Sequence, residues 1–200
     1  MPSFWIETVI SFLFQRLCER AESIIGLDFT CSRFYEKFLE IEAQTASRTG
    51  IYAYLFELFG RILKVPLQQI SKFYDKYQQY ALNRPPPELV GPDRFSELMA
   101  AMKRDIADDR NAKTKTDDEV KQMVKKSILE ESKAQYLKTE AETRKRWFFE
   151  DAIKRPYFHY VPLENSQVAS WHRYLDFEEK EGQNERIEML YKRCLIACVI

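Results

Sequence analysis

Nucleophilic or metal chemistry in this 200-residue chain would have to be built from two histidines, His159 and His172, and four cysteines, Cys18, Cys31, Cys194 and Cys198. A Ser/His/Asp or Cys/His site needs a base within hydrogen-bond reach of its nucleophile. His159 falls in a proline-flanked connector and His172 adjoins Trp171, and the sequence sets no nucleophile beside either. Cys194 and Cys198 are four apart and would share a helical face, enough for two metal ligands, but no His or Cys nearby completes a zinc site. The cysteines read instead as buried free thiols in a reducing compartment. No two of the five glycines lie within eight residues of each other, so no phosphate-cradling loop can form. Glu130-Glu131 and Glu178-Glu179 fall on charged helical faces, where solvation is the default. The expectation is a protein with no catalytic, cofactor-binding or metal-binding residues, and not an enzyme.

Two basic clusters and one aromatic connector could touch another macromolecule. Arg144, Lys145 and Arg146, like Lys125-Lys126, could meet phosphate, but acids interleave them and a solvated helix face is favoured. The 31 Lys and Arg balance 31 Asp and Glu, so the basic excess of a phosphate-bound protein is missing. The connector Arg155-Pro156-Tyr157-Phe158-His159-Tyr160 has two readings. In one, Arg155, Tyr157 and His159 form a partner-binding or RNA-stacking surface. In the favoured one, Pro156 turns the chain and the rings pack between helices, because aromatic rings usually bury.

Helices must position these residues. Apolar residues recur with the helical period almost throughout, few glycines and many aromatics favour helices packed through large side chains, and Gly26, Pro66, the prolines at 85–87, Pro156 and Gly182 punctuate them. The first stripe is Ile6, Val9, Ile10, Leu13, Leu17, Ala21 and Ile24; the second starts at an N-cap Ser32; the third is Ile51, Tyr54, Leu55, Leu58, Ile62 and Val65; the fourth uses Leu67, Ile70, Tyr74, Tyr77 and Ala81. Three segments follow: helix pairs over 1–82, a charged and proline-rich linker over 83–116 with one short helix near 94–106, and 117–200 with a long helix and a closing repeat. The long helix shows a thin stripe of Val120, Val124, Ile128, Ala134, Leu137, Ala141, Phe148 and Ala152. The run from Phe4 to Phe14 lacks the basic start and cleavage site of a signal peptide, and no run reaches the roughly 18 apolar residues of a membrane span. A terminal Ala197-Cys198-Val199-Ile200 misses a prenylation box by one position, so the chain reads as soluble and intracellular.

A repeat is visible in these helices. Trp171-x2-Tyr174-x3-Glu178 sets two aromatics and a carboxylate on one helical face. The carboxylate needs a donor if buried, and Tyr191 or Arg193 on the following helix is expected to supply it. Tyr35-x2-Phe38-x3-Glu42 is a conservative copy; Tyr74-x2-Tyr77 is partial, with Ala81 in place of the acid. The unit resembles the HAT (half-a-tetratricopeptide) repeat, which implies an all-α solenoid of helix pairs. The run Arg146-Trp147-Phe148-Phe149-Glu150-Asp151-Ala152-Ile153-Lys154-Arg155-Pro156-Tyr157-Phe158-His159, the closing Tyr191–Cys198 and the order of Gly26-Leu27-Asp28-Phe29 and Val65-Pro66-Leu67 narrow it further. Together they resemble the pre-mRNA-processing factor 39 family, strongly over 144–198 and weakly over 83–120.

That resemblance implies a non-catalytic, nuclear scaffold, docking proteins of the U1 small nuclear ribonucleoprotein at 5′ splice-site recognition. The alternative is a direct RNA-binding helical-repeat module of another RNA-processing complex. Family members are longer and dimerise through C-terminal repeats. This sequence starts on what would be a second helix and stops within an apolar one, so the dimerising repeats are expected to be missing and apolar faces to be exposed at both ends.

Overall fold

Proline and glycine set most of the boundaries that the chain adopts. The protein, a computed structural model, is described here over residues 2–108 and 116–198, without side chains at 2–8, 10, 11 and 108. Ile6 and Ile10 of the first stripe, residues 109–115 of the expected linker and the terminal Val199-Ile200 therefore lie outside the described residues. The helices are α1 (Pro2–Ile25), α2 (Ser32–Thr49), α3 (Ala53–Ile62), α4 (Ile70–Leu82), α5 (Pro86–Val90), α6 (Pro92–Asp108), α7 (Asp117–Ala152), α8 (Asn165–Glu181) and α9 (Asn184–Cys198). Among the described residues there is no strand, and no helix is long and apolar enough to cross a membrane. Two compact units divide the chain: unit 1 holds Met1–Arg33, Val65–Gln68 and Glu140–Ile200; unit 2 holds Phe34–Lys64 and Gln69–Thr139.

Unit 2 packs large rings. Phe38, Leu55, Leu58, Phe59, Ile62 and Phe73 are almost fully buried. Tyr77 meets Phe56 and Phe59 edge-on at centroid distances of 6.1 and 5.8 Å, and Tyr74 stacks on Tyr136 of α7 at 4.2 Å. The chain leaving α4 is tied to α7 by Lys125, whose Nζ donates to the carbonyls of Leu82 and Arg84 at 2.9 Å each. The stretch expected as a linker is largely helical. Pro86 occupies the first turn of α5, where its fixed φ favours a helix and its missing N–H is harmless, so the prolines that end one helix begin the next. Leu89 of α5 is buried, and α5 packs against α3 and α6.

α7 begins with a capping box. The Thr116 N–H donates to Glu119 Oε2 at 2.7 Å and the Glu119 N–H to Thr116 Oγ1 at 3.4 Å, while Asp117, Asp118 and Glu119 place negative charge on the positive end of the helix. Its buried face corrects the expected stripe. Val120, Val124 and Ile128 are buried, but Ala134, Leu137, Ala141 and Phe148 are exposed, and the buried positions pass to Thr139, Thr143 and Arg146. Hydrogen bonds make those polar positions tolerable: Thr139 Oγ1 donates to the Leu63 carbonyl at 2.6 Å, and Ser132 Oγ pairs with Tyr77 OH at 2.8 Å.

Unit 1 centres on Ile153, Trp171, Tyr174, Leu175, Leu190 and Ala197, with Phe149, Leu163, Phe177 and Cys194 packed against them. Gly182 takes up the left-handed conformation (φ 74°) between α8 and α9, as its position after α8 predicts, and its N–H donates to the Glu178 carbonyl. Of the first stripe's described side chains, Val9, Leu13, Leu17 and Ile24 do not become core, all being more than half exposed. Tyr191, Leu195 and Ile196 of α9 are exposed too. Ser32 is the first residue of α2 rather than its cap, and its buried hydroxyl has no hydrogen-bond partner among the described residues. Asp28 instead orders the entry, its Oδ1 accepting from the N–H and the hydroxyl of Thr30 at 2.7 Å each.

Thr139→Val keeps the side-chain shape and removes the buried bond to the Leu63 carbonyl and the half-buried one from Gln135, so it should lower unfolding stability by about 1–2 kcal/mol. Leu137→Ser, on the exposed side of α7, should change it by less than about 0.5 kcal/mol. Urea unfolding of both variants tests this, and a larger loss from Leu137→Ser would mean that the Leu137 face of α7 is the buried one.

Candidate functional site

The repeat signature forms a buried frame. Trp171, Tyr174 and Glu178 are 1%, 2% and 2% exposed. Their one-face spacing on α8 explains the shared burial, and burial raises the question of what neutralises Glu178. The donor comes from α7, not from the following helix. Arg146 Nε donates to Glu178 Oε1 at 2.6 Å and Nη2 to Oε2 at 3.1 Å, a bidentate pair whose side chains are 2% and 3% exposed. Arg146 Nη1 completes its valence on the Glu142 carbonyl and carboxylate, at 2.9 and 2.8 Å. Arg186 of α9 lies 4.0 Å from Glu178.

The expected donors bind other acids. Arg193 holds Glu150 through Nη1 and Nη2 at 2.6 and 2.8 Å, with Asp28 3.3 Å from its Nε. Tyr191 donates to Glu179 at 2.5 Å. Tyr174 OH donates to Glu150 Oε1 at 3.0 Å, which joins the aromatic signature to the second ion pair. The charges answer one another in their acidities. Burial, and then the Glu150 carboxylate, push the Tyr174 phenol well above its ordinary value. Burial pulls on Arg146 and Arg193, but the carboxylates bonded to each outweigh it and hold both guanidinium groups more firmly protonated than usual. Arg186, buried and facing the Arg146 charge, is shifted down.

The copy in unit 2 is also buried, with Tyr35 and Phe38 at 1% and Glu42 at 6%. Tyr35 meets Phe73 edge-on at 6.4 Å. The basic cluster does not act as one surface. Arg146 is inside the frame, because Glu178 could not be buried without it. Lys145 pairs with Glu142 at 2.8 Å and Glu181 at 3.6 Å, and the exposed Arg144 pairs with Glu140 at 3.2 Å.

The connector turns outward, against the favoured expectation. Tyr157, Phe158 and Tyr160 are 57%, 64% and 81% exposed. Polar contacts along the segment shape it instead of ring packing: Arg155 Nη2 donates to the Val161 carbonyl at 2.7 Å, and the Val161 N–H donates to His159 Nδ1 at 3.0 Å. The His159 and Tyr160 rings stack at 4.4 Å. Trp147 and Phe148 also face out, because Arg146 before them and Phe149 after them take the inward positions of the same turn. Helical periodicity places Phe148 in the apolar stripe of α7 and gives Trp147 no part in it, and the structure differs at Phe148. His172 is exposed, and Cys194 Sγ and Cys198 Sγ lie 3.5 Å apart. Among the described residues no group of three or more His, Cys, Asp or Glu could hold a metal. What the arrangement offers is exposed aromatic surface beside a buried, ion-paired frame.

Arg146→Met and Glu178→Met should each cost about 3–5 kcal/mol, since each strands a buried charge, and the double variant should cost well under their sum. Trp171→Ala should cost roughly 3–5 kcal/mol. Denaturant unfolding of the four proteins decides: additive losses would show that Arg146 and Glu178 do not depend on each other.

Comparison with known proteins agrees with the frame. The family model described as PRP39 N-terminal HAT repeat matches residues 10–79, and the one described as PRP39 C-terminal HAT repeat matches residues 144–200. The chain is 33% identical over 192 residues to pre-mRNA-processing factor 39 of Schizosaccharomyces pombe, a match covering 93% of this chain and 31% of that protein. It is 30% identical over 198 residues to the Homo sapiens protein of that name, covering 91% and 29%. With the Saccharomyces cerevisiae protein it shares 24% over 184 residues, covering 90% and 22%. The chain thus spans about a third or less of the length of these curated relatives. Matched by both HAT-repeat models in chain order and built around the buried Trp171, Tyr174 and Glu178, the chain belongs to the pre-mRNA-processing factor 39 family of helical-repeat proteins.

Proposed function

We propose that the chain serves pre-mRNA splicing in the nucleus as a non-catalytic scaffold, docking partner proteins within the U1 small nuclear ribonucleoprotein at 5′ splice-site recognition. The relatives are named for pre-mRNA processing, and the repeats they share with this chain supply surface rather than a reactive centre. The observation that carries the reading is the exposed aromatic set of unit 1: Trp147, Phe148, Tyr157, Phe158 and Tyr160 stay in solvent beside a frame that is otherwise densely buried. Exposed aromatics concentrate binding energy at protein interfaces. Arg155, Tyr157 and His159 belong to the proposed surface.

Direct RNA binding is the weaker reading. It draws on the same rings as stacking platforms, but Arg144, Lys145 and Arg146 already face carboxylates, which leaves little positive charge for phosphate.

Tagged chain incubated in nuclear extract should recover U1 particle proteins, identified by mass spectrometry. Phe148→Glu, 71% exposed in the native chain, should weaken that recovery several-fold while leaving the melting curve in place. Recovery of other RNA-processing assemblies without U1 proteins would overturn the assignment. In a gel shift at physiological salt the chain should bind short RNA no better than a neutral control, and salt-sensitive binding would favour the RNA module instead.

A further inference from the structure

Within unit 1 a cavity of about 190 Å³ opens beside the frame. Phe29 and Trp147 both line it and pack edge to face on each other, their centroids 5.8 Å apart and their planes at 66°. The Glu150–Arg193 pair lies on its buried side, with side chains 10% and 12% exposed, and Asp151, 76% exposed, stands at its mouth. The volume falls below the roughly 300–1,000 Å³ of pockets for drug-sized ligands. It suits one long side chain.

The charge inside selects the kind of side chain. Arg193 is shared between Glu150 and, outside the cavity lining, Asp28, so its one positive charge does not fully neutralise Glu150. Asp151 adds a second negative group, partly countered by Lys154 at 3.5 Å. Glu150 Oε1 accepts from Arg193 and Tyr174, whereas among the described residues Oε2 accepts from Arg193 alone, which leaves it room for a further donor. An anion is repelled here, and a purely apolar side chain would desolvate carboxylates without replacing their water. A cation seated against the half-exposed Trp147 ring gains from that ring and from the acids. A planar, weakly hydrated guanidinium stacks on an indole and reaches a carboxylate better than a compact ammonium does.

We propose that this cavity receives the guanidinium of an arginine carried by an extended segment of a partner protein. The proposal rests on the scaffold reading and adds the side chain that the scaffold recognises.

The test uses the full 200-residue chain labelled with nitrogen-15 and three probes: the blocked tripeptides Gly-Arg-Gly, Gly-Lys-Gly and Gly-citrulline-Gly, the last an uncharged mimic of arginine. The Trp147 indole N–H resonance, assigned by its loss in Trp147→Phe, should shift saturably with the arginine probe. The citrulline probe should bind at least about tenfold more weakly, and the lysine probe also more weakly. Asp151→Lys, at an exposed position, should weaken arginine binding about five- to tenfold with unchanged circular dichroism. Equal binding of citrulline or lysine, a motionless Trp147 signal, or indifference to Asp151→Lys would each overturn the proposal. Recovery of U1 proteins from extract without any probe binding sinks the cavity and spares the scaffold; probe binding without that recovery does the reverse.

Discussion

A buried carboxylate is the constraint from which the C-terminal repeat follows. Glu178 shares a helical face with Trp171 and Tyr174, so burying the two rings buries the acid with them. Alone it would be too costly to keep ionised in that position. Arg146 answers it with two parallel bonds, and Glu142 takes the remaining guanidinium edge. The pair fixes the rotation of the end of α7 against α8, since both forks of a bidentate contact must be met at once. Everything outward on that turn, Trp147 and Phe148 included, is outward because Arg146 is inward.

A second ion pair has the same logic one turn later. Glu150 receives Arg193 from α9 and the phenol of Tyr174 from α8, so a single carboxylate touches the three helices of the repeat. Paired acids and bases here add geometric definition as well as energy, because each bond fixes a direction that apolar packing alone leaves loose. The exposed Trp147 and Phe148 share a helical turn with the paired Arg146 and Glu150, so the same turn carries a bonded polar side and a solvent-facing aromatic side.

α7 shows how far local pattern can carry and where it stops. Its start is written in Thr116 and Glu119, whose reciprocal bonds need only residues three apart. Its first buried residues, Val120, Val124 and Ile128, are equally plain. Beyond Ile128 the apolar residues Ala134, Leu137 and Ala141 suggest one face, yet the chain buries Thr139, Thr143 and Arg146. Hydropathy misleads there because distant groups satisfy those polar atoms: the Leu63 carbonyl for Thr139 and the Glu178 carboxylate for Arg146. The connector misleads in the opposite direction. Its rings look like core, but among the described residues no neighbouring element covers them, and Arg155 and His159 hold the turn through the backbone of Val161.

The sequence by itself determined the all-helical class, most helix ends and the identity of the repeat anchors. Those features depend on spacing within one turn, on proline and glycine geometry, and on caps formed by near neighbours. It also showed that Glu178 would need a donor. Only the tertiary structure decided that Arg146, 32 residues away, is that donor, that Arg193 serves Glu150 instead, and that Trp147 and the connector rings remain in solvent. Periodicity states which residues share a helical face; which face meets a neighbour is settled by long side chains that reach across from other helices.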